Sequence, residues 1–181
     1  MKNAVIIHGT GTRNDEFWFP WFKKELEAKG YTVWLPQMPN ADHPNLEEWL
    51  PFIMDQASFT EDTILIGHSA GAQLILSILE RIPTPIKQAI LVAGYARALR
   101  ASADDESDGL VDWNNAHGKC RKIIFINSDN DPWGCDDAQG RIMQENLGGE
   151  LIVTKGEGHM GSTTYNQPYK EFPLLVKLLN A

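Results

Sequence analysis

A chain of 181 residues with 43% hydrophobic and 22% charged residues is long enough for one sizeable core and short for two, and nothing in that balance indicates a disordered or fibrous protein. Its formal net charge of -8, with 16 Lys and Arg forming no arm or cluster, argues against nucleic acid as a partner. Only four apolar residues precede His8, too few for a secretory signal, and no run approaches a bilayer span, so cytoplasmic residence without a membrane partner is expected.

In chain order, residues 4–7 form an apolar run of strand character and lead into the loop His8-Gly9-Thr10-Gly11-Thr12. Residues 20–29 place Trp21, Phe22 and Leu26 on one side, carry Pro20 in the first turn and stop at Gly30, the pattern of a helix. A second strand is predicted over 31–35, a helix over 46–57 after a proline- and asparagine-rich loop, and a third strand over 63–66. That strand runs into Gly67-His68-Ser69-Ala70-Gly71, and an alanine- and leucine-rich helix over 72–82 follows, apolar nearly all round and so deeply packed. A small polar residue between two glycines at a strand-to-helix turn is the layout of a nucleophile elbow, where strand and helix pass too close for side chains at the flanking positions.

Strands are predicted over 89–92, 123–127 and 151–153, and helices over 137–147, closing at Gly148-Gly149, and 173–179. These runs are apolar without polar alternation, as strands covered on both faces of a parallel sheet are. Residues 95–122 read as one long irregular stretch holding the acidic run Asp104-Asp105-Glu106-Ser107-Asp108, a solvated loop with a lid or partner contact as the alternative. Cys120 and Cys135 fall at opposite ends of a strand roughly 20 Å long, so both are expected as thiols, with Cys135 the more exposed.

In such an α/β alternation the loops after the strands share one edge of the sheet, where ligands bind. Ser69 follows the third strand, Asp131 lies in Ser128-Asp129-Asn130-Asp131-Pro132-Trp133 after the fifth, and His159 in Gly158-His159-Met160-Gly161 after the sixth. Ser, Asp and His in that order match the arrangement of an α/β-hydrolase triad. The serine hydroxyl is a poor nucleophile until His159 accepts its proton, and a carboxylate must orient that imidazole. Asp129 stands two residues from Asp131 and competes for the part. The oxyanion donors are expected at the backbone N–H groups of Ala70 and Thr10.

Other readings of these residues are weaker. Gly9-Thr10-Gly11 opens a dinucleotide pattern, but the third glycine position is Asn14, no acidic residue ends the second strand and no P-loop lysine is present. His8, His68 and Asp131 reach the same edge without metal-ligand spacing, so no metal is expected. Trp18 and Trp133 are candidate substrate contacts, with core packing the competing explanation for Phe17, Trp18 and Phe19. His8 is read as shaping the oxyanion loop, His68 as packing, and His43 and His117 as surface residues.

With the opening strand and its Gly-rich loop, Gly67-His68-Ser69-Ala70-Gly71, Ser128-x-x-Asp131-Pro132 and Gly158-His159-Met160-Gly161 in hand, the chain resembles the RBBP9/YdeN family of small α/β serine hydrolases over nearly its whole length. The resemblance implies a triad of Ser69, Asp131 and His159, preferring Asp131 to Asp129, and a compact esterase or amidase with little or no cap domain. The acidic 104–108 run is a departure from it. The expected fold is α/β: a single α/β-hydrolase domain spanning 1–181, with a six-stranded parallel sheet in the order 2-1-3-4-5-6 and helices on both faces. The expected activity is hydrolysis of a small carboxylic ester, thioester or amide through an acyl-enzyme, with no metal or organic cofactor. A partner-binding protein with a vestigial or slow hydrolase site is the alternative.

Overall fold

The strands β1 (Asn3–Ile7), β2 (Thr32–Trp34), β3 (Ile64–His68), β4 (Ile86–Val92), β5 (Cys120–Ser128) and β6 (Glu150–Thr154) alternate with the helices α1 (Phe19–Ala28), α2 (Leu46–Gln56), α3 (Ala70–Leu79), α4 (Trp113–Ala116), α5 (Asp137–Leu147) and α6 (Pro173–Leu178). In this computed structural model, which describes residues 2–97, 99 and 111–179, the strands pair in parallel in the order β2-β1-β3-β4-β5-β6. This is the topology expected from the sequence. The acidic run at 104–108 lies outside the described residues.

Successive strand residues point to opposite faces, and here both faces are covered. Val5, Ile7, Leu65, Leu91 and Phe125 join one core with residues of α2, α3 and α5. Ile6, Ile66, Ile90, Ile124 and Ile126 join a second with Phe22 and Leu26 of α1 and Leu175 of α6. Burying each of these side chains stabilises the fold by about 1.5–3 kcal/mol before entropy is counted, which is why the strands are apolar at consecutive positions.

Element ends depart from the apolar runs for local reasons. β4 and β5 begin earlier than expected because main-chain pairing continues through polar positions, Ile86 opposite Cys120 and Gln88 opposite Lys122. β2 is shorter: the Tyr31 N–H closes α1 on the Leu26 carbonyl, and Pro36, just beyond Leu35, has no N–H to give. α3 starts at Ala70 rather than 72, directly on the elbow. Inside the stretch read as irregular, Asp112 caps the Asn115 N–H and starts the single turn of α4. Both cysteines are free, but Cys135 is buried while Cys120 is half-buried. The expected exposure of Cys135 was wrong because the chain after β5 folds back, bridging Ser128 to Asp136 and packing Cys135 into the second core. Among the described residues no helix is long and apolar enough to cross a membrane.

Candidate active site

At the carboxyl edge of the sheet, β3 hands the chain to α3 through Ser69, whose backbone sits at φ 54° and ψ -118°. A non-glycine residue held there stores on the order of 1–3 kcal/mol, and the surroundings enforce it. The Ser69 N–H is bonded to the Val92 carbonyl at 2.9 Å. A Cβ on Gly67 would stand 2.5 Å from the Gly71 carbonyl oxygen, and one on Gly71 would overlap the Ile7 carbonyl and stand 2.6 Å from that of His8. The turn therefore closes only with glycine at both positions, and Ser69 is left at the start of α3, at the positive end of its dipole.

The loop after β1 lies against this turn, so that a Cβ on Gly9 would come 2.9 Å from the Ser69 Cβ. His8 shapes it from beneath. Its Nε2 accepts the Met38 N–H at 2.9 Å, so Nδ1 carries the proton and faces the Gly9 carbonyl at 3.0 Å, which also accepts the Thr12 hydroxyl at 2.8 Å. Burial keeps the His8 pKa below its ordinary range and so keeps the ring neutral. The N–H groups of Thr10 and Ala70 carry no partner among the described residues.

Across the edge, Asp131 Oδ2 accepts from His159 Nδ1 at 2.7 Å, with the two side chains 0% and 7% exposed. The other carboxylate oxygen accepts the Trp133 N–H at 2.8 Å, so Asp131 is fixed at both ends. Asp129 does something else: it accepts the Gly156 N–H at 2.8 Å. With Asn130 accepting the Gly158 N–H and Ser128 the Glu157 N–H, it ties the loop after β5 to the loop that carries His159.

Two ring N–H groups hold that second loop from below. His68 Nε2 donates to the His159 carbonyl at 2.8 Å and Trp18 Nε1 to the Met160 carbonyl at 3.1 Å. Met160 has φ 53°, a conformation that needs such support. Trp18 is therefore not a substrate contact: it is 0% exposed and belongs to the second core, because its apolar body is drawn inward and its N–H finds a carbonyl there. The His68 ring is fully buried, and burial first, then the nearby His159, lowers its pKa from 6.5 to about 3. Its Nδ1 has no hydrogen-bond partner among the described residues.

A cavity of about 400 Å³ opens above Ser69, lined among others by Thr10, Thr12, Leu99, Trp133, His159 and Thr163. It brings together Ser69, His159, Thr10 and Trp133, with Asp131 behind the imidazole. Sequence reasoning missed the lining by Ser162, Thr163 and Thr164, whose only mark in the sequence is that they follow Gly161, and it missed Cys135. The Cys135 thiol gathers with Asp131 and His159, one donor atom of each within 4.8 Å of the others. Burial first, then the Asp131 charge, pushes the thiol pKa well up.

A model of the serine hydrolase family matches residues 4–181. YdeN of Bacillus subtilis (strain 168) is 39% identical over 101 residues, 54% of this chain and 53% of that protein, so in this alignment the chain spans about half the relative's length. The serine hydrolase RBBP9 of Rattus norvegicus is 27% identical over 171 residues, 91% of this chain and 90% of that one. The crystal structure of the ydeN gene product from B. subtilis superposes with a TM-score of 0.87 at 27% identity, covering 99% of this chain and 97% of that one. Est1E from Butyrivibrio proteoclasticus with ferulic acid bound shares the fold, with a TM-score of 0.71 at 15% identity over 98% of this chain and 90% of its own.

Proposed function

The chain belongs to the serine hydrolase family, and from that premise we propose that Ser69, His159 and Asp131 form a triad that cleaves a small carboxylic ester, thioester or amide through an acyl-enzyme. The observation that carries this reading is the buried 2.7 Å contact between Asp131 Oδ2 and His159 Nδ1, set beside a serine held at φ 54° on the floor of an open cavity. With Nδ1–H given to the carboxylate, the His159 lone pair remains at Nε2, where it accepts the Ser69 proton as the hydroxyl oxygen attacks the carbonyl carbon. Asp131, locked by the Trp133 N–H, holds that tautomer and stabilises the imidazolium that forms.

Negative charge then develops on the carbonyl oxygen. The uncommitted N–H groups of Ala70 and Thr10 supply the oxyanion donors, with the α3 dipole adding to the first. His159 returns its proton to the leaving group, and water, deprotonated by the same nitrogen, releases the acid. Trp133 lines the substrate side. The test is labelling with a fluorophosphonate probe: the protein reacts at Ser69 and Ser69→Ala does not. Failure of the folded native protein to label, alongside a reactive control hydrolase, overturns the reading in favour of a partner-binding protein with a vestigial site.

A further inference from the structure

The Ser69 cavity is walled unequally, and the difference bears on which half of the substrate lies where. The leaving atom must take its proton from His159, so the leaving group occupies the imidazole side of the cavity. That side carries Trp133, whose ring centroid lies 6.5 Å from that of His159, and next to it Tyr165, 5.3 Å from Trp133 and edge-on at 78°. These two are 37% and 46% exposed, an aromatic pair turned to solvent at the mouth of a buried site. A planar apolar group laid on them removes aromatic surface from water on both partners.

The pair is held in place by bonds that do not involve its rings. The Trp133 N–H is fixed on Asp131. The turn bearing Tyr165 is closed by Ser162 and Gln167, which exchange N–H to carbonyl bonds of 3.0 and 2.8 Å, and Gln167 Oε1 accepts the His159 N–H at 2.9 Å. The aromatic wall and the imidazole are thus parts of one hydrogen-bonded unit, and binding there orders little that is not already ordered.

The remaining chemistry of the cavity is neutral. Its described lining offers the hydroxyls of Thr10, Thr12, Ser162, Thr163 and Thr164 and no Lys, Arg, Asp or Glu, so nothing there neutralises a charged leaving group, and the formal net charge of -8 repels an anionic one. On the opposite side the Gly9 backbone lies close against Ser69. The whole volume of about 400 Å³ sits near the lower end of the ~300–1,000 Å³ range of small-molecule sites.

We infer that Trp133 and Tyr165 form a leaving-group subsite for an uncharged aryl alcohol, so that the enzyme favours esters of aryl alcohols. The inference rests on Ser69 and His159 acting as nucleophile and base. In the step it describes, the Ser69 oxygen bonds to the acyl carbon, the bond from that carbon to the aryl oxygen breaks, and the proton taken from Ser69 passes through His159 to the aryl oxygen. Water then displaces the acyl group and regenerates the serine.

The experiment compares 2-naphthyl acetate with 2,2,2-trifluoroethyl acetate, which share an acyl group, in the native protein, Trp133→Ala and Tyr165→Ala, with thermal transitions recorded for each. Trp133→Ala should lower the ratio of kcat/KM for the naphthyl ester over that for the trifluoroethyl ester by about tenfold or more. Tyr165→Ala should do the same more weakly. In parallel, 2-naphthol should inhibit trifluoroethyl acetate hydrolysis competitively, with an inhibition constant raised in Trp133→Ala. Equal losses on both esters, or naphthol inhibition unchanged by the substitution, overturns the subsite and leaves the triad standing. Native protein that turns over neither ester and takes no fluorophosphonate overturns the triad itself. Trp133→Phe, which retains a ring, supplies an intermediate loss should the alanine variant not fold.

Discussion

Acid weakens this fold through His68. The folded ring is held neutral with a pKa of about 3, by burial first and then by the neighbouring His159, against an ordinary value of 6.5. Below pH 6.5 the unfolded chain takes up a proton that the folded chain refuses, so the contribution present above that pH is lost progressively as pH falls toward 3. Between pH 7 and pH 4.5 the loss amounts to about 3 kcal/mol, two pH units at roughly 1.4 kcal/mol each. His68→Gln retains a donor for the His159 carbonyl but has nothing to titrate. Urea unfolding of both proteins at the two pH values compares them directly. The native protein should lose about 3 kcal/mol more than the variant over this window; equal losses would show that His68 is not held neutral by its surroundings.

Asp131→Asn leaves the shape of the acid loop intact but lets an amide N–H face His159 Nδ1, favouring the wrong tautomer, so kcat should fall by about 10⁴-fold with KM little changed; a small effect in steady-state kinetics contradicts the orienting role. Gly71→Ala drives a methyl into the Ile7 and His8 carbonyls, neither of which can move without breaking the sheet, and should cost more than about 3 kcal/mol in denaturant unfolding. A variant of native stability would mean that β1 and α3 are not packed so closely. Thr10→Pro removes the second oxyanion donor and should lower kcat by about 10²–10³-fold in protein that keeps its thermal transition. Unchanged turnover places that donor elsewhere.

The sheet could be read from the sequence because parallel strands buried on both faces are apolar at every position, and 4–7, 64–66 and 89–92 show it. Reading failed at the ends, where Lys87, Gln88, Arg121 and Lys122 pair through their backbones while their side chains reach toward solvent or polar partners. Ser69 stood out because Gly67 and Gly71 are both required by close approaches the sequence advertises. Trp18 did not: an aromatic next to a functional loop reads alike whether it faces substrate or, as here, hands its N–H to Met160. Cys135 and the Ser162–Thr164 wall come into the site only through the fold-back after β5 and the turn closed by Gln167, tertiary contacts without a local periodicity. The same contacts separate Asp131 from Asp129, which are indistinguishable by spacing and differ in which loop atom each one meets.

The claim that Ser69 is the nucleophile is tested most directly by intact-mass spectrometry of the protein quenched during turnover of an activated acetate ester, followed by peptide mapping. The account predicts one acetyl added per chain, located on Ser69, absent in Ser69→Ala and persisting longer in His159→Ala if formed there at all. Steady ester turnover that survives Ser69→Ala, or an acetyl group mapped to any other residue of an active protein, contradicts it.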